Sequence, residues 1–303
     1  MSQKFLFILV ALCVVTSTGC SNSEKTPAQQ ATSKRTLLIG LIPEQNLFRQ
    51  MERYEPLAAY LSEKTGTQIT LTVLTRYGNI IDNFVTGKLD GAFFGSFTYA
   101  LAHAKLGVQV IARPEGLDGV SSYHGLIFVR KGSGITSYRD MKGKRFAFVD
   151  KATTAGYLFP LAYFQKRGVN YRTYLKKSYF TGTHEDAILD VLNKKADIGA
   201  AKNTVFERLA QSDARIKNDL AILEESFTVP ENALALRNDL DDHLLKKFKS
   251  ALLDMDRDPA GIKVLKIFGA KRFIETTEAD YQPIYRTAQE IQLDLTAYDY
   301  RND

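Results

Sequence analysis

Residues 145–168 read RFAFVDKATTAGYLFPLAYFQKRG, and this stretch decides the fold. Residues 145–149 read as a strand, and the apolar run over 146–149 is of the kind that fills a buried parallel sheet. Asp150 and Lys151 interrupt it, and from Gly156 to Lys166 apolar residues recur at helical spacing until Gly168. A buried strand that feeds directly into a helix is the repeating unit of an α/β sheet. Between the two, Thr153 and Thr154 fall at the N-cap and first turn, and Ala155 and Gly156 keep the backbone accessible. A helix start carries unpaired N–H groups and a partial positive charge, so two added hydroxyls suit an oxyanion. The same threonines would also serve as plain caps.

The unit repeats in both directions. Downstream, residues 177–180 read as a strand, 184–193 as a helix and 197–201 as a strand. Upstream, 37–42 is an apolar strand ending at Pro43, 54–64 a helix stopped at Gly66, 68–74 a β-branched strand, 79–86 a helix and 89–94 a strand. Two separate α/β lobes are expected, each a mainly parallel sheet flanked by helices. Residues 123–131 and 227–236 are extended and suit the crossings between them. That assigns 35–127 with 232–303 to lobe one and 128–231 to lobe two. Two crossings leave a cleft whose walls can close on a small solute.

The chain has 303 residues, 45% hydrophobic, with a net charge of +6. Its lysines and arginines are dispersed among 34 acidic residues, which argues against nucleic acid. Lys4 followed by an apolar run over 5–15 has the layout of a secretory leader and is too short to span a bilayer. The run ends Thr16-Ser17-Thr18-Gly19-Cys20, similar to a bacterial lipobox, although Ser17 stands where an apolar residue is usual. The expectation is a leader over 1–19, lipidation at Cys20 and a polar tether over 20–34. Cys13 would leave with the leader, so the mature fold would hold no disulfide, thiolate metal site or cysteine nucleophile.

Further site candidates lie at strand ends. His184 follows Thr181-Gly182-Thr183 at the next strand-to-helix junction, at the same sheet edge as Thr154. An imidazole there can donate to an oxyanion, and protonation near neutral pH would strengthen the bond. Tyr77 ends a lobe-one strand, and Ser96 and Tyr99 open a helix after Phe93-Phe94-Gly95; Tyr123, at the first crossing, is counted with them. Core packing is the plainer account of the tyrosines, given 15 tyrosines and 18 phenylalanines. No P-loop, G-x-S-x-G or paired His/Asp metal spacing is present, which weighs against a phosphoryl-processing enzyme.

Several segments in order resemble the substrate-binding components of ABC transporters for phosphate, phosphite and phosphonates. Tyr54-Glu55-Pro56-Leu57-Ala58-Ala59-Tyr60-Leu61 resembles the family's opening helix, and the run from Leu89 to Tyr99, LDGAFFGSFTY, its strand-to-helix signature. MKGKRFAFVD from Met141, followed by TTAGYLFP from Thr153, resembles its anion loop. The resemblance implies the type II periplasmic binding protein fold, no cofactor or metal, and no catalysis. It implies a monomer at the periplasmic face of a bacterial membrane, working with an ABC permease or, alternatively, as a sensor subunit for another oxyanion or small solute. It maps the anion loop onto Thr153, Thr154 and Ala155, the family histidine onto His184, and its lobe-one aromatics onto Tyr77 and Tyr99. The loop's third hydroxyl is missing at Ala155. Lys202 stands near where aminoalkylphosphonate binders carry a carboxylate, so it would repel an ammonium and favour added negative charge.

Overall fold

The computed structural model describes residues 35–302; the expected leader, tether and Cys20 lie outside them. The chain runs through β1 (Thr36–Leu41), α1 (Leu47–Thr65), β2 (Gln68–Val73), α2 (Asn79–Val85), β3 (Gly91–Phe94), α3 (Ser96–Leu106) and β4 (Gln109–Gly116). It crosses at β5 (Ser122–Tyr123) to β6 (Gly125–Arg130), β7 (Arg145–Phe148), a π-helical turn (Thr154–Leu158), α4 (Phe159–Gln165), α5 (Tyr171–Tyr174), β8 (Lys177–Phe180) and α6 (His184–Leu192). Then come β9 (Ile198–Lys202), α7 (Asn203–Ser212), α8 (Arg215–Asp219) and β10 (Leu220–Glu225). It returns at β11 (Val229–Pro230) to β12 (Ala233–Leu236), α9 (Asp242–Leu253), α10 (Pro259–Phe268), β13 (Ala270–Glu275) and α11 (Gln282–Glu290).

Two sheets result, ordered β13-β4-β12-β3-β1-β2 and β10-β6-β9-β7-β8. Their parallel centres are β2, β1 and β3 in one lobe and β8, β7 and β9 in the other, as strand-helix-strand connections require. The strands that carry the chain in from the opposite lobe, β6 and β12, run antiparallel to their neighbours. Between the sheets, β5 pairs with β11, Tyr123 opposite Val229 and Ser122 opposite Pro230. This two-residue ribbon lies where the chain crosses between the two sheets, and it tolerates a proline because no further strand needs the missing N–H. All of β6 belongs to the second sheet, so residues 125–127 go with lobe two and not, as the sequence reading had it, with lobe one.

Helix α1 begins at Leu47, seven residues before the start of its apolar pattern. Asn46 caps it by accepting from Phe48 N and Arg49 N, and Leu47 and Phe48 are exposed, so the first two turns carry no burial signal. At the opposite extreme, strand β7 is buried almost throughout, and the loop that follows it sits on it without slack. A Cβ on Gly156 would lie 2.4 Å from Val149 Cβ, and one on Gly125 would lie 3.0 Å from Ala155 Cα. Both glycines are needed for close approach of the loop backbone to the strands beneath it.

Candidate ligand site

The loop after β7 is shaped by Asp150. Its Oδ1 accepts from Ala152 N at 2.8 Å, and its carbonyl accepts from both Thr153 N (3.0 Å) and Thr153 Oγ1 (2.7 Å). Thr153 therefore spends its hydroxyl proton inside the loop and holds the loop's shape. The π-helical turn closes with Leu158 N donating to Thr153 O, and Phe159 N donates to Thr154 O. With bonds of that span, the N–H groups of Thr154, Ala155 and Gly156 have no carbonyl behind them and point out of the turn.

Thr154 Oγ1 accepts from Phe97 N at 2.9 Å, across the cleft, and from Tyr123 OH at 3.0 Å. Both lone pairs are used, which leaves its proton free to donate. Ser96, beside Phe97, donates to Pro230 O at 2.7 Å and ties the start of α3 to the crossing ribbon. Thr98 Oγ1 donates to Ala152 O at 2.7 Å, Asn46 N to Glu185 Oε2 at 3.0 Å, and Arg208 to Gln45 Oε1 at 2.8 Å. These bonds join the lobes directly, so the structure is in the closed form.

His184 is the first residue of α6, whose cap is Thr183 accepting from Asp186 N. Its Nδ1 accepts from Lys202 N at 3.3 Å, which puts the remaining proton on Nε2. Burial is the main force lowering its pKa to about 3; the Lys202 charge adds to this, and Glu44 opposes it. His184 is therefore a neutral N–H donor, without the added strength that protonation would bring. Tyr77 meets it edge to face at 5.9 Å, and burial raises the Tyr77 pKa well above that of a free phenol. The Tyr77 hydroxyl is buried and forms no hydrogen bond within the protein.

Lys202 closes the site on the other side. Its ammonium donates to Glu44 Oε1 (3.0 Å), to Asn232 Oδ1 (3.1 Å) and to Glu231 Oε1, and stands 4.3 Å over the Tyr123 ring. Three acceptors use all three of its N–H bonds, and two carboxylates more than offset its single charge. The expected extra pull on anions therefore does not come from this lysine. Burial opposes ionisation of both Lys202 and Glu44, yet charge pairing wins: Glu231 and then Glu44 push Lys202 up, and Lys202 holds Glu44 down to about 2. On the outer side of this cluster, Glu44, Glu231, Arg53 and Arg208 line a cavity of about 350 Å³.

Of the sequence candidates, Tyr77, Ser96, Tyr123, Thr153, Thr154, Ala155, Gly156, His184 and Lys202 converge on this interlobe region. Tyr99 does not. Its ring packs against Tyr281 at 4.3 Å and against Phe94 and His103, on the far side of α3. Tyr99 stands three residues, nearly a full turn, along α3 from Ser96, so it lies deeper along that helix, where its ring meets Tyr281 and not the interlobe end. Residues the sequence reading missed are Glu44, Gln45, Arg208, Glu231 and Asn232. Glu44 and Gln45 follow the C-terminal end of β1, an edge where the other candidates were sought, and Glu231 and Asn232 follow the proline of the crossing ribbon. Those positions were the available signal.

Residues 39–281 match the family profile described as "ABC transporter, phosphonate, periplasmic substrate-binding protein". The chain belongs to that family. As one of these substrate-binding proteins it is a transport component and not an enzyme. Among curated relatives it is 27% identical over 255 residues to the phosphate-import protein PhnD of Mycolicibacterium smegmatis, covering 79% of this chain and 78% of that one. It is 23% identical over 285 residues to the phosphonates-binding periplasmic protein of Escherichia coli, covering 92% and 84%. Among solved structures, the binding component of a Pseudomonas aeruginosa ABC phosphonate transporter superposes with a TM-score of 0.79 at 24% identity, covering 86% and 87%. PhnD1 of Prochlorococcus marinus in complex with methylphosphonate superposes with 0.75 at 23%, covering 85% and 98%. These superpositions show the two-lobed type II periplasmic binding fold. Among the described residues no helix is long and apolar enough to cross a membrane, and no cluster of three or more His, Cys, Asp or Glu side chains could hold a metal ion.

Proposed function

We propose that this periplasmic binding protein captures a small phosphorus oxyanion, namely phosphate, phosphite or a simple phosphonate, for an ABC permease. What carries the reading is a set of neutral donors brought together where the lobes meet. They are the Thr154 hydroxyl, the first-turn N–H groups of Thr154, Ala155 and Gly156, the Nε2–H of His184 and the unpartnered hydroxyl of Tyr77. Burying an anion costs several kcal/mol unless its oxygens are nearly all hydrogen-bonded, and donors fixed by their own partners meet that need without reorganising. Relatives named for phosphate import, for phosphonates and for a methylphosphonate complex support the class of anion. Lys202 supports a ligand without an amine, because the carboxylates of Glu44 and Glu231 that would receive an ammonium already hold one.

In this reading lobe two holds the anion at its loop and at His184. Lobe one brings Tyr77 and the start of α3 over the other face, and the closed form is what the permease reads. The protein acts as a monomer held to the membrane by lipid at Cys20, at the periplasmic face. Titration calorimetry with phosphate, phosphite, methylphosphonate, aminoethylphosphonate and sulfate tests it. The expected result is binding of one of the first three at least tenfold tighter than aminoethylphosphonate or sulfate, with Thr154→Ala weakening it at least tenfold. A Thr154→Ala variant with unchanged affinity would move the site elsewhere.

A further inference from the structure

The segment after α11, residues 292–302, does not stay with lobe one but touches both lobes. On the lobe-one side, the Tyr298 ring packs on Phe97 at 5.5 Å, and Tyr300 OH donates to Asp82 Oδ1 at 2.7 Å. Lys105 donates to Thr296 O and stands over the Tyr300 ring, which lies so close to Gly78 that a Cβ there would be 2.4 Å from it. On the lobe-two side, Tyr298 OH donates to Lys151 O at 3.0 Å. Asn302 Oδ1 accepts from Lys151 N at 3.0 Å, and Asn302 Nδ2 donates to Asp150 Oδ2 at 2.9 Å. The residues gripped, Asp150 and Lys151, open the loop whose donors face the cleft. The other oxygen of the same Asp150 carboxylate holds Ala152 N.

We propose that residues 298–302 form a clasp that fixes the geometry of the anion loop and stabilises the closed lobes, with Asn302 as the positioning residue. The amide of Asn302 is complementary to its target, since one atom accepts from Lys151 N–H while the other donates to the Asp150 carboxylate. The clasp is anchored on lobe one through Tyr300 and the Tyr298 ring, so separating the lobes must break one set of contacts or the other. Those contacts exist only in the closed form, and a difference of that kind shifts an open-closed equilibrium toward closure. Ligand held by the loop is then released only after the clasp lets go.

The ligand part of this proposal rests on the oxyanion reading, so the test has one arm that needs no ligand. Asn302→Asp keeps the size of the side chain but turns a carboxylate toward Asp150. The exchange Asp150→Asn with Asn302→Asp restores a donor-acceptor pair and leaves an oxygen at position 150 for Ala152 N. Stopped-flow dissociation of methylphosphonate and of inorganic phosphate, with small-angle X-ray scattering on the ligand-free full-length protein, reads both. The expected result is dissociation at least fivefold faster and a larger radius of gyration in Asn302→Asp, both returning toward wild type in the exchange. Should Asn302→Asp not fold, Tyr298→Phe removes only the bond to Lys151 and is expected to act in the same direction. The clasp is overturned if the single variants match wild type in both measurements, or if the exchange restores neither. If neither these anions nor phosphite bind wild type, the oxyanion reading falls and scattering alone decides the clasp.

Discussion

Replacing Lys202 with methionine should destabilise the protein by several kcal/mol, and the structure sets the size. The side chains of Lys202 and Glu44 are 3% and 7% exposed, and that of Glu231 is 20% exposed. Methionine fills much of the same space but leaves two carboxylates without the ammonium that both of them bond. Removing one partner of a buried pair costs about 3–5 kcal/mol, and the contact of the ammonium with the Tyr123 ring adds to the loss without being separable from it. At this chain length that corresponds to a drop in Tm of roughly 6–20 °C. The sign with pH is specific. Glu44 is held down to about 2 against the burial that would raise it, chiefly by Lys202. Without the lysine, burial raises its folded-state pKa above the unfolded value. The folded variant then binds the extra proton, and its stability rises as pH falls toward the carboxylate range. Urea denaturation at pH 8 and pH 5 should show the deficit of Lys202→Met shrinking at the lower pH. The triple variant Glu44→Gln, Lys202→Met, Glu231→Gln should recover most of the loss, since removing a whole buried ion cluster is often near neutral. A deficit below about 1 kcal/mol at pH 8, or no recovery in the triple variant, would show that this cluster is not held as described.

Four further outcomes are expected. His184 has a folded-state pKa of about 3 against an ordinary imidazole value of 6.5, so the unfolded chain binds a proton that the folded chain refuses. Stability should therefore fall by about 2 kcal/mol between pH 7.5 and 5, and urea denaturation of His184→Gln should show that slope removed. Tyr77→Phe deletes a buried hydroxyl with no protein partner; thermal unfolding should show unchanged or higher stability while calorimetry shows the best anion bound about tenfold more weakly. Tyr99→Phe should leave anion affinity within twofold, because that ring lies behind α3; a tenfold loss would return Tyr99 to the cleft. Gly156→Ala should cost about 1–3 kcal/mol in denaturation midpoint through the clash with Val149, and should weaken the anion as the loop lifts from β7.

Much of this protein is legible in its sequence because local patterns report local facts. Apolar runs over 37–42 and 146–149 can only be buried, and the helices that follow them force parallel strands, so two α/β lobes and the loop at residues 153–156 follow from periodicity and capping chemistry. The lobe boundary at 125–127 was missed because a strand reads the same whichever sheet it joins. Tyr99 was misplaced because a position in sequence gives the start of a helix but not which face the cleft will use. The paired state of Lys202 was out of reach for a deeper reason. It depends on burial and on Glu44, 158 residues from Lys202 in the chain and brought to it only when the lobes meet. Sequence settled which groups can donate, accept or ionise; closure of one lobe on the other decided which of them do, because desolvation and charge pairing act through space and not along the chain.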